Sequence, residues 1–134
     1  MRSKFNLKRK LSWLFFTATI LQCIVSCKHK TDFDKLTSVS YSTDIAPIIT
    51  SNCTFSGCHE NGGSKHHDDE FGLSTYTDLL QAGIEPGYPE KSELYATLVS
   101  LNDDIVMPRK PYNRLSEKQI QLIYVWIGQG AKNN

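Results

Sequence analysis

The clearest hydrophobic pattern of the chain lies near its C-terminal end. Apolar side chains recur there at the i, i+3, i+4 and i+7 spacing of one helix face, at Ile120, Ile123, Tyr124 and Ile127. Ser116 and Gln119 have the spacing of a capping box, and Gly128 and Gly130 follow as stop signals. The pattern predicts an amphipathic helix over residues 116–128.

Three shorter helices are predicted upstream of this one, over residues 43–52, 75–81 and 90–98. Residues 99–115 contain prolines and show no periodicity, which predicts a long loop, and loops of that length are usually functional or disordered. No pair of alternating segments predicts strands. The predicted fold class is therefore all-α.

The N-terminal segment has a different pattern. Residues 1–10 are basic and lack acidic side chains, and residues 11–25 form a largely apolar stretch of 15 residues. A membrane span needs roughly 20 apolar residues, so the stretch is short for one. A basic region followed by such a stretch is typical of a secretory signal peptide. A retained membrane anchor and a core helix are the alternatives.

The end of that segment carries a second signal. Ile24-Val25-Ser26-Cys27 resembles the lipobox of bacterial lipoproteins, and the resemblance implies that Cys27 becomes the lipidated first residue of the mature protein. Cys23 is a poorer candidate because the large Gln22 precedes it. Acyl chains on Cys27 would hold the protein on a membrane without spanning it.

These signals divide the chain into three parts. Residues 1–26 are a signal peptide, Cys27 and the polar residues up to position 40 are a lipidated tether, and residues 41–134 are the globular domain. The protein is expected to be exported and anchored to a bacterial membrane, facing the periplasm. A domain of this size usually needs a staple, a metal or a cofactor to complete its core.

Charge is unevenly distributed along the chain. The 15 basic and 14 acidic side chains nearly cancel, but every acidic residue lies at Asp32 or beyond. Without the first ten residues the count is ten basic against 14 acidic. Such an acidic protein lacks the basic patch that nucleic-acid binding requires, and it favours a basic protein partner.

The candidate chemistry lies in the segment from Cys53 to His59. Two thiols followed directly by histidine are typical of c-type haem attachment, usually as C-x-x-C-H, with the histidine as proximal iron ligand. Here four residues separate Cys53 from Cys58. The longer loop must bulge to keep both sulfurs at the ring edge, and Gly57 is best able to supply the unusual backbone conformation.

Met107 is the candidate for the second axial ligand. It lies in the long loop after the third helix, about fifty residues after His59, where a loop can fold back over the other haem face. A lone methionine is otherwise most often a core residue. Its pairing with the Cys58-His59 motif favours the ligand role.

Two other roles remain open for the cysteines. Cys53 and Cys58 could form a disulfide, since an exported protein meets an oxidising compartment. Cys53, Cys58 and His59 could also bind zinc with His66 or His67, although adjacent Cys58 and His59 make a poor tetrahedral pair. His66 and His67 stand beside acidic residues and are more typical of a solvated loop.

Residues 41–131 resemble the small cytochrome c domains found in lipoproteins and membrane proteins of Bacteroidetes and Planctomycetes. The matching segments are Asp44-Ile45-Ala46-Pro47-Ile48, Asn52-Cys53, Gly57-Cys58-His59, Leu73-Ser74-Thr75-Tyr76, residues 86–95, Met107-Pro108 and residues 126–131. The resemblance implies a helical fold wrapped on one haem c, with its first and last helices crossing near the haem edge. It also implies thioether bonds at Cys53 and Cys58, and iron ligation by His59 and Met107.

The expected function is that of a monohaem electron carrier in an exported respiratory or redox chain, with redox proteins as partners and no enzymatic activity. One alternative is a haem enzyme or sensor, peroxidase-like or gas-binding, with an open sixth site. Another is a structural lipoprotein without haem, held by a Cys53–Cys58 disulfide.

Overall fold

The computed structural model of the chain describes residues 31–60 and 72–134, and Asp32–Asn134 forms a compact unit. The predicted signal peptide, the lipobox and Cys27 lie outside the described residues, as do His66 and His67. No helix in the described part of the chain is long and apolar enough to cross a membrane.

The described residues form an all-α domain, as predicted, without a strand among them. The α-helices are α1 (Ala46–Asn52), α2 (Tyr76–Gln81), α3 (Glu93–Val99) and α4 (Glu117–Gly128). A wide helical turn, Tyr41–Ile45, leads into α1, and short 3-10 helices occupy Phe33–Lys35 and Pro89–Lys91.

Local capping sets where the helices begin. The capping box before α4 forms as predicted, since Ser116 Oγ accepts from the Gln119 backbone N–H at 3.3 Å and Gln119 Oε1 accepts from the Ser116 N–H at 2.9 Å. The helical segment that leads into α1 begins at Tyr41, two residues before the predicted start. Ser40 is its cap, and its backbone N–H donates to Asp44 Oδ2 at 2.8 Å.

The core lies between α4 and the segments on either side of it. The wide turn and α3 both pack against α4. The predicted face of α4 supplies Ile123 and Ile127 to the core, while its Ile120 and Tyr124 are only partly buried. The other core side chains on helical segments are Ile45, Ile48, Ile49, Leu79, Leu94, Leu98 and Trp126. Trp126 is fully buried, and its indole N–H donates to the Lys132 carbonyl at 2.9 Å.

Residues 32–40, here called the N-terminal strap, lie along the C-terminal end of α4. The Phe33 ring covers Gly128 so closely that a Cβ at position 128 would lie 2.3 Å from the ring. Val39, farther along the strap, belongs to the buried core. The folded unit therefore begins at Asp32 and not at Tyr41, because two apolar residues in a polar stretch supply contacts that no periodicity reveals.

Gln129 holds the strap in place. Its side-chain amide donates to the carbonyls of Phe33, Leu36 and Thr37 at 3.2, 3.4 and 3.1 Å. Its Oε1 accepts from the Val39 backbone N–H at 3.0 Å. One side chain thus satisfies several backbone N–H and C=O groups of the strap, which has little regular secondary structure.

We expect Gln129→Ala to lower the free energy of unfolding by about 1–3 kcal/mol, because several hydrogen bonds to the strap are lost together. Urea denaturation followed by circular dichroism measures the change. The matched control is Gln121→Ala on the exposed face of the same helix, which should change stability by less than about 0.5 kcal/mol. Equal effects of the two substitutions would show that Gln129 does not hold the strap.

Candidate functional site

Helix α1 delivers the first cysteine of the C-x4-C-H motif. Cys53 directly follows the helix, and its backbone N–H donates to the Ile49 carbonyl at 2.8 Å. Its side chain is half-buried and packs against the hydrophobic core. The position of the Cys53 thiol is therefore set by the helix, while the rest of the motif lies on the loop that follows.

That loop is a closed turn. The Cys58 N–H donates to the Phe55 carbonyl at 2.9 Å, and the His59 N–H donates to the Cys53 carbonyl at 3.1 Å. Gly57 has φ +84°, the left-handed conformation that glycine adopts without strain. A Cβ there would meet no atom within 4 Å, so the backbone angle alone favours glycine. The four intervening residues thus fold back and bring Cys53 and His59 together.

Burial gives the Cys53 thiol surroundings unlike those of an exposed cysteine. Cys53 and Cys58 are both free thiols in this structure, and both are half-buried. Burial raises the pKa of the Cys53 thiol to about 11, and the neighbouring Cys58 adds to the effect. Cys53 is consequently protonated at neutral pH, and a protonated thiol is a weaker nucleophile than a thiolate.

His59 connects the motif to the next helix. Its imidazole is half-buried, and its carbonyl accepts from the Leu73 backbone N–H at 3.0 Å, just before α2 begins. Both backbone groups of His59 are therefore bonded within the fold. These bonds fix the position of the backbone from which the imidazole projects.

Met107 lies on the predicted long loop, between α3 and α4. Its backbone N–H donates to the Thr97 carbonyl of α3 at 3.1 Å, and its side chain is half-buried. Arg114 donates to the carbonyls of Leu98 and Ser100 at 3.2 and 2.8 Å and closes the base of the loop. The segment that carries Met107 is thus hydrogen-bonded to the end of α3 although it has no helix of its own.

An aromatic contact joins the motif loop to the Met107 loop. The rings of Phe55 and Tyr112 are stacked, with centroids 4.8 Å apart and an angle of 9° between their planes. Phe55 lies between the two cysteines and Tyr112 lies five residues after Met107. Sequence reasoning missed both residues, and the only signal was an aromatic side chain in each of two loops.

Exposed apolar side chains are concentrated near Met107. Six large apolar residues are exposed in the described part of the chain, and four of them lie between positions 99 and 112: Val99, Leu101, Ile105 and Tyr112. Leu101 is 94% exposed. Single exposed apolar residues are common, but a group of them at the end of a helix and on the loop that follows is typical of a surface that binds a ligand or partner.

The described residues contain neither an assembled zinc site nor a disulfide between Cys53 and Cys58. No group of three or more histidine, cysteine, aspartate or glutamate side chains in residues 31–60 and 72–134 could hold a metal ion. The Cys53 and Cys58 sulfurs are not joined. The histidines proposed to complete a zinc site lie outside these ranges.

Comparisons of the chain with known proteins identify no similar protein. No protein-family model matches the chain, and searches of curated proteins and of solved structures find no similar protein. Function is therefore inferred from the residues that the fold brings together.

We expect the Cys53 thiol to be protected from alkylation in the folded, haem-free chain. A rise in its pKa from 9.0 to about 11 lowers the thiolate fraction at pH 8 on the order of 100-fold relative to the unfolded chain. Iodoacetamide labelling at pH 8 under reducing conditions, followed by peptide mass mapping, gives the rate at Cys53 apart from the other cysteines. The same chain in urea is the control, and equal rates in the two states would contradict a buried Cys53.

Proposed function

We propose that this protein is a monohaem c-type cytochrome that carries single electrons. The observation that carries the proposal is the stacking of Phe55 on Tyr112. It connects the loop of the C-x4-C-H motif to the loop of Met107, so that the candidate attachment residues and the candidate distal ligand belong to adjoining parts of the fold.

The donor set fits a covalently bound haem. The Cys53 and Cys58 thiols are free, half-buried and carried on one closed turn, and they would form the two thioether bonds. His59 follows directly and would supply the proximal imidazole. Haem bound there would supply an iron that alternates between the ferric and ferrous states. The protein residues bind it, orient it and limit the access of water.

Met107 is the best available donor for the opposite side. It is one of two methionines in the chain, and the other, Met1, lies in the predicted signal peptide. A thioether is a soft ligand, and His/Met ligation raises the reduction potential of haem iron. With both axial positions filled, the iron would need no open site for a substrate, which favours electron transfer over catalysis.

The fold is compatible with the small cytochrome c fold that the sequence resemblance implies. The turn before α1 packs against α4, so the first and last helical segments of the domain are in contact. Leu101 and Tyr112, which are exposed on the loop that carries Met107, would lose their contact with water against a large apolar ring. A haem would thereby complete the small core of this domain.

We further propose that Cys27 is lipidated and that the domain acts at a bacterial membrane facing the periplasm, with redox proteins as partners. The lipobox-like Ile24-Val25-Ser26-Cys27 supports this location. Acyl chains would anchor the chain without a membrane-spanning helix.

The attachment of haem is tested on protein made in a host with periplasmic cytochrome c maturation. We expect a haem-stained band that survives denaturing electrophoresis. The Cys53→Ala, Cys58→Ala double variant should reduce the stain to background, because neither thiol of the C-x4-C-H motif remains to form a thioether. Cys23→Ser is the matched control and should keep the full signal. An unstained, intact and exported protein would overturn the haem proposal and favour the disulfide-containing structural role.

The role of Met107 is tested on the reduced, haem-loaded protein. We expect the wild type to exclude carbon monoxide and Met107→Ala to bind it rapidly, because the substitution leaves the sixth position open. Met107→His should restore the exclusion at a lower potential, and Ile105→Ala, an exposed neighbour, should behave as the wild type. Rapid binding by the wild type would identify the protein as an open-site enzyme or sensor.

The lipid anchor is tested by membrane fractionation. We expect the wild type in the membrane pellet and Cys27→Ser in the soluble or unprocessed fraction, because no acyl chain can be attached. Cys23→Ser should remain with the membranes. An unchanged distribution of the Cys27→Ser protein would contradict lipidation at this residue.

A further inference from the structure

A surface groove of about 440 Å³ lies between α3 and α4. None of Cys53, Cys58, His59 or Met107 lines it, so it is separate from the proposed haem site. Its size is within the range of sites that hold a small molecule or a few side chains of a partner.

The floor of the groove is aromatic and aliphatic. The Tyr95 and Tyr124 rings meet there with centroids 5.1 Å apart. Val99 and Ile120 line the same groove, and Val99 is 41% exposed. The ring faces carry partial negative charge, which attracts a cation above them.

The lining also includes two carboxylates, Glu90 and Glu117. The Tyr124 hydroxyl donates to Glu90 Oε1, and this bond lowers the pKa of Glu90, so that the carboxylate is ionised at neutral pH. The ion pairs in the described part of the chain are Lys35–Asp32 and Lys110–Asp103. Neither groove carboxylate therefore has an ion-pair partner within the described residues.

The apolar floor and the two carboxylates together favour a basic side chain as the occupant of the groove. A purely apolar segment would cover the two carboxylates without neutralising them, which costs free energy. A lysine or arginine side chain places its aliphatic stem on the apolar floor and its charged head at the carboxylates. The excess of acidic residues after the first ten positions also attracts basic surfaces.

We infer that the groove between α3 and α4 docks a lysine- or arginine-bearing segment of a partner protein. The inference rests on the groove alone and does not require haem. It adds a docking position on α3 and α4, which shares only Val99 with the exposed apolar residues near Met107.

The test measures the binding of a fluorescein-labelled hexapeptide of alternating lysine and leucine to the full-length chain in non-ionic detergent, by fluorescence anisotropy. We expect saturable binding that weakens as salt is added. A peptide with norleucine in place of each lysine should fail to bind. Equal binding of the norleucine peptide would overturn the inference and indicate an apolar partner.

Two glutamine substitutions locate the binding. Gln121→Lys places a cation in the groove and should weaken binding about fivefold or more. Gln81→Lys adds the same charge at an exposed position outside the groove and should weaken it less than about twofold. Equal losses would show that the peptide senses only net charge and would overturn the inference.

A substitution of Tyr95 tests whether the aromatic rings contribute to peptide binding. Tyr95→Leu keeps an apolar floor but removes a ring face, and it should weaken binding about two- to fivefold. Unchanged affinity in Tyr95→Leu, at unchanged thermal stability, would contradict a cation seated over the rings. The haem stain is read separately on the same protein samples, so failure of peptide binding and failure of haem attachment are distinguishable.

Discussion

The side chain of Trp126 lies where the two ends of the folded unit meet. Its indole is fully buried, the Tyr41 ring lies 5.9 Å from it, and its N–H is bonded to the carbonyl of Lys132. Ala131, in the left-handed conformation at φ 49°, turns the chain back over the indole. Because truncation of a buried tryptophan typically costs about 3–5 kcal/mol, this contact carries much of the stability available to so small a domain.

The candidate site combines one residue at the end of a helix with residues that lie on two loops. Cys53 is held by the end of α1 and by its packing against the core. Met107 is held by the hydrogen bond from its backbone N–H to the Thr97 carbonyl of α3. The Phe55–Tyr112 stack is the aromatic contact between these two loops. Of the proposed haem-binding residues, Cys53 is therefore positioned by a helix, whereas Met107 lies on a loop, where backbone positions vary more.

Local signals in the sequence were sufficient for the elements that depend on neighbouring residues. The capping box of Ser116 and Gln119, the apolar face of α4 and the left-handed turn at Gly57 are set by residues within a few positions of one another. The strap and the Phe55–Tyr112 contact were missed, because each depends on partners distant in the sequence. Cys53, Cys58 and His59 were identified from their spacing in the sequence. That spacing could not show that the loop containing them contacts the Met107 loop through Phe55 and Tyr112.

The contacts between the strap and the C-terminal end also bear on when the domain can fold. Val39 bonds to Gln129 across 90 positions, and Ser40 bonds to Asn134 across 94. Contacts so distant in sequence are slow to form, and they cannot form before residues 129–134 have been synthesised. A nascent chain therefore lacks the hydrogen-bond partners of Val39 and Ser40, and the closed surroundings of Trp126, until residues 129–134 have been synthesised.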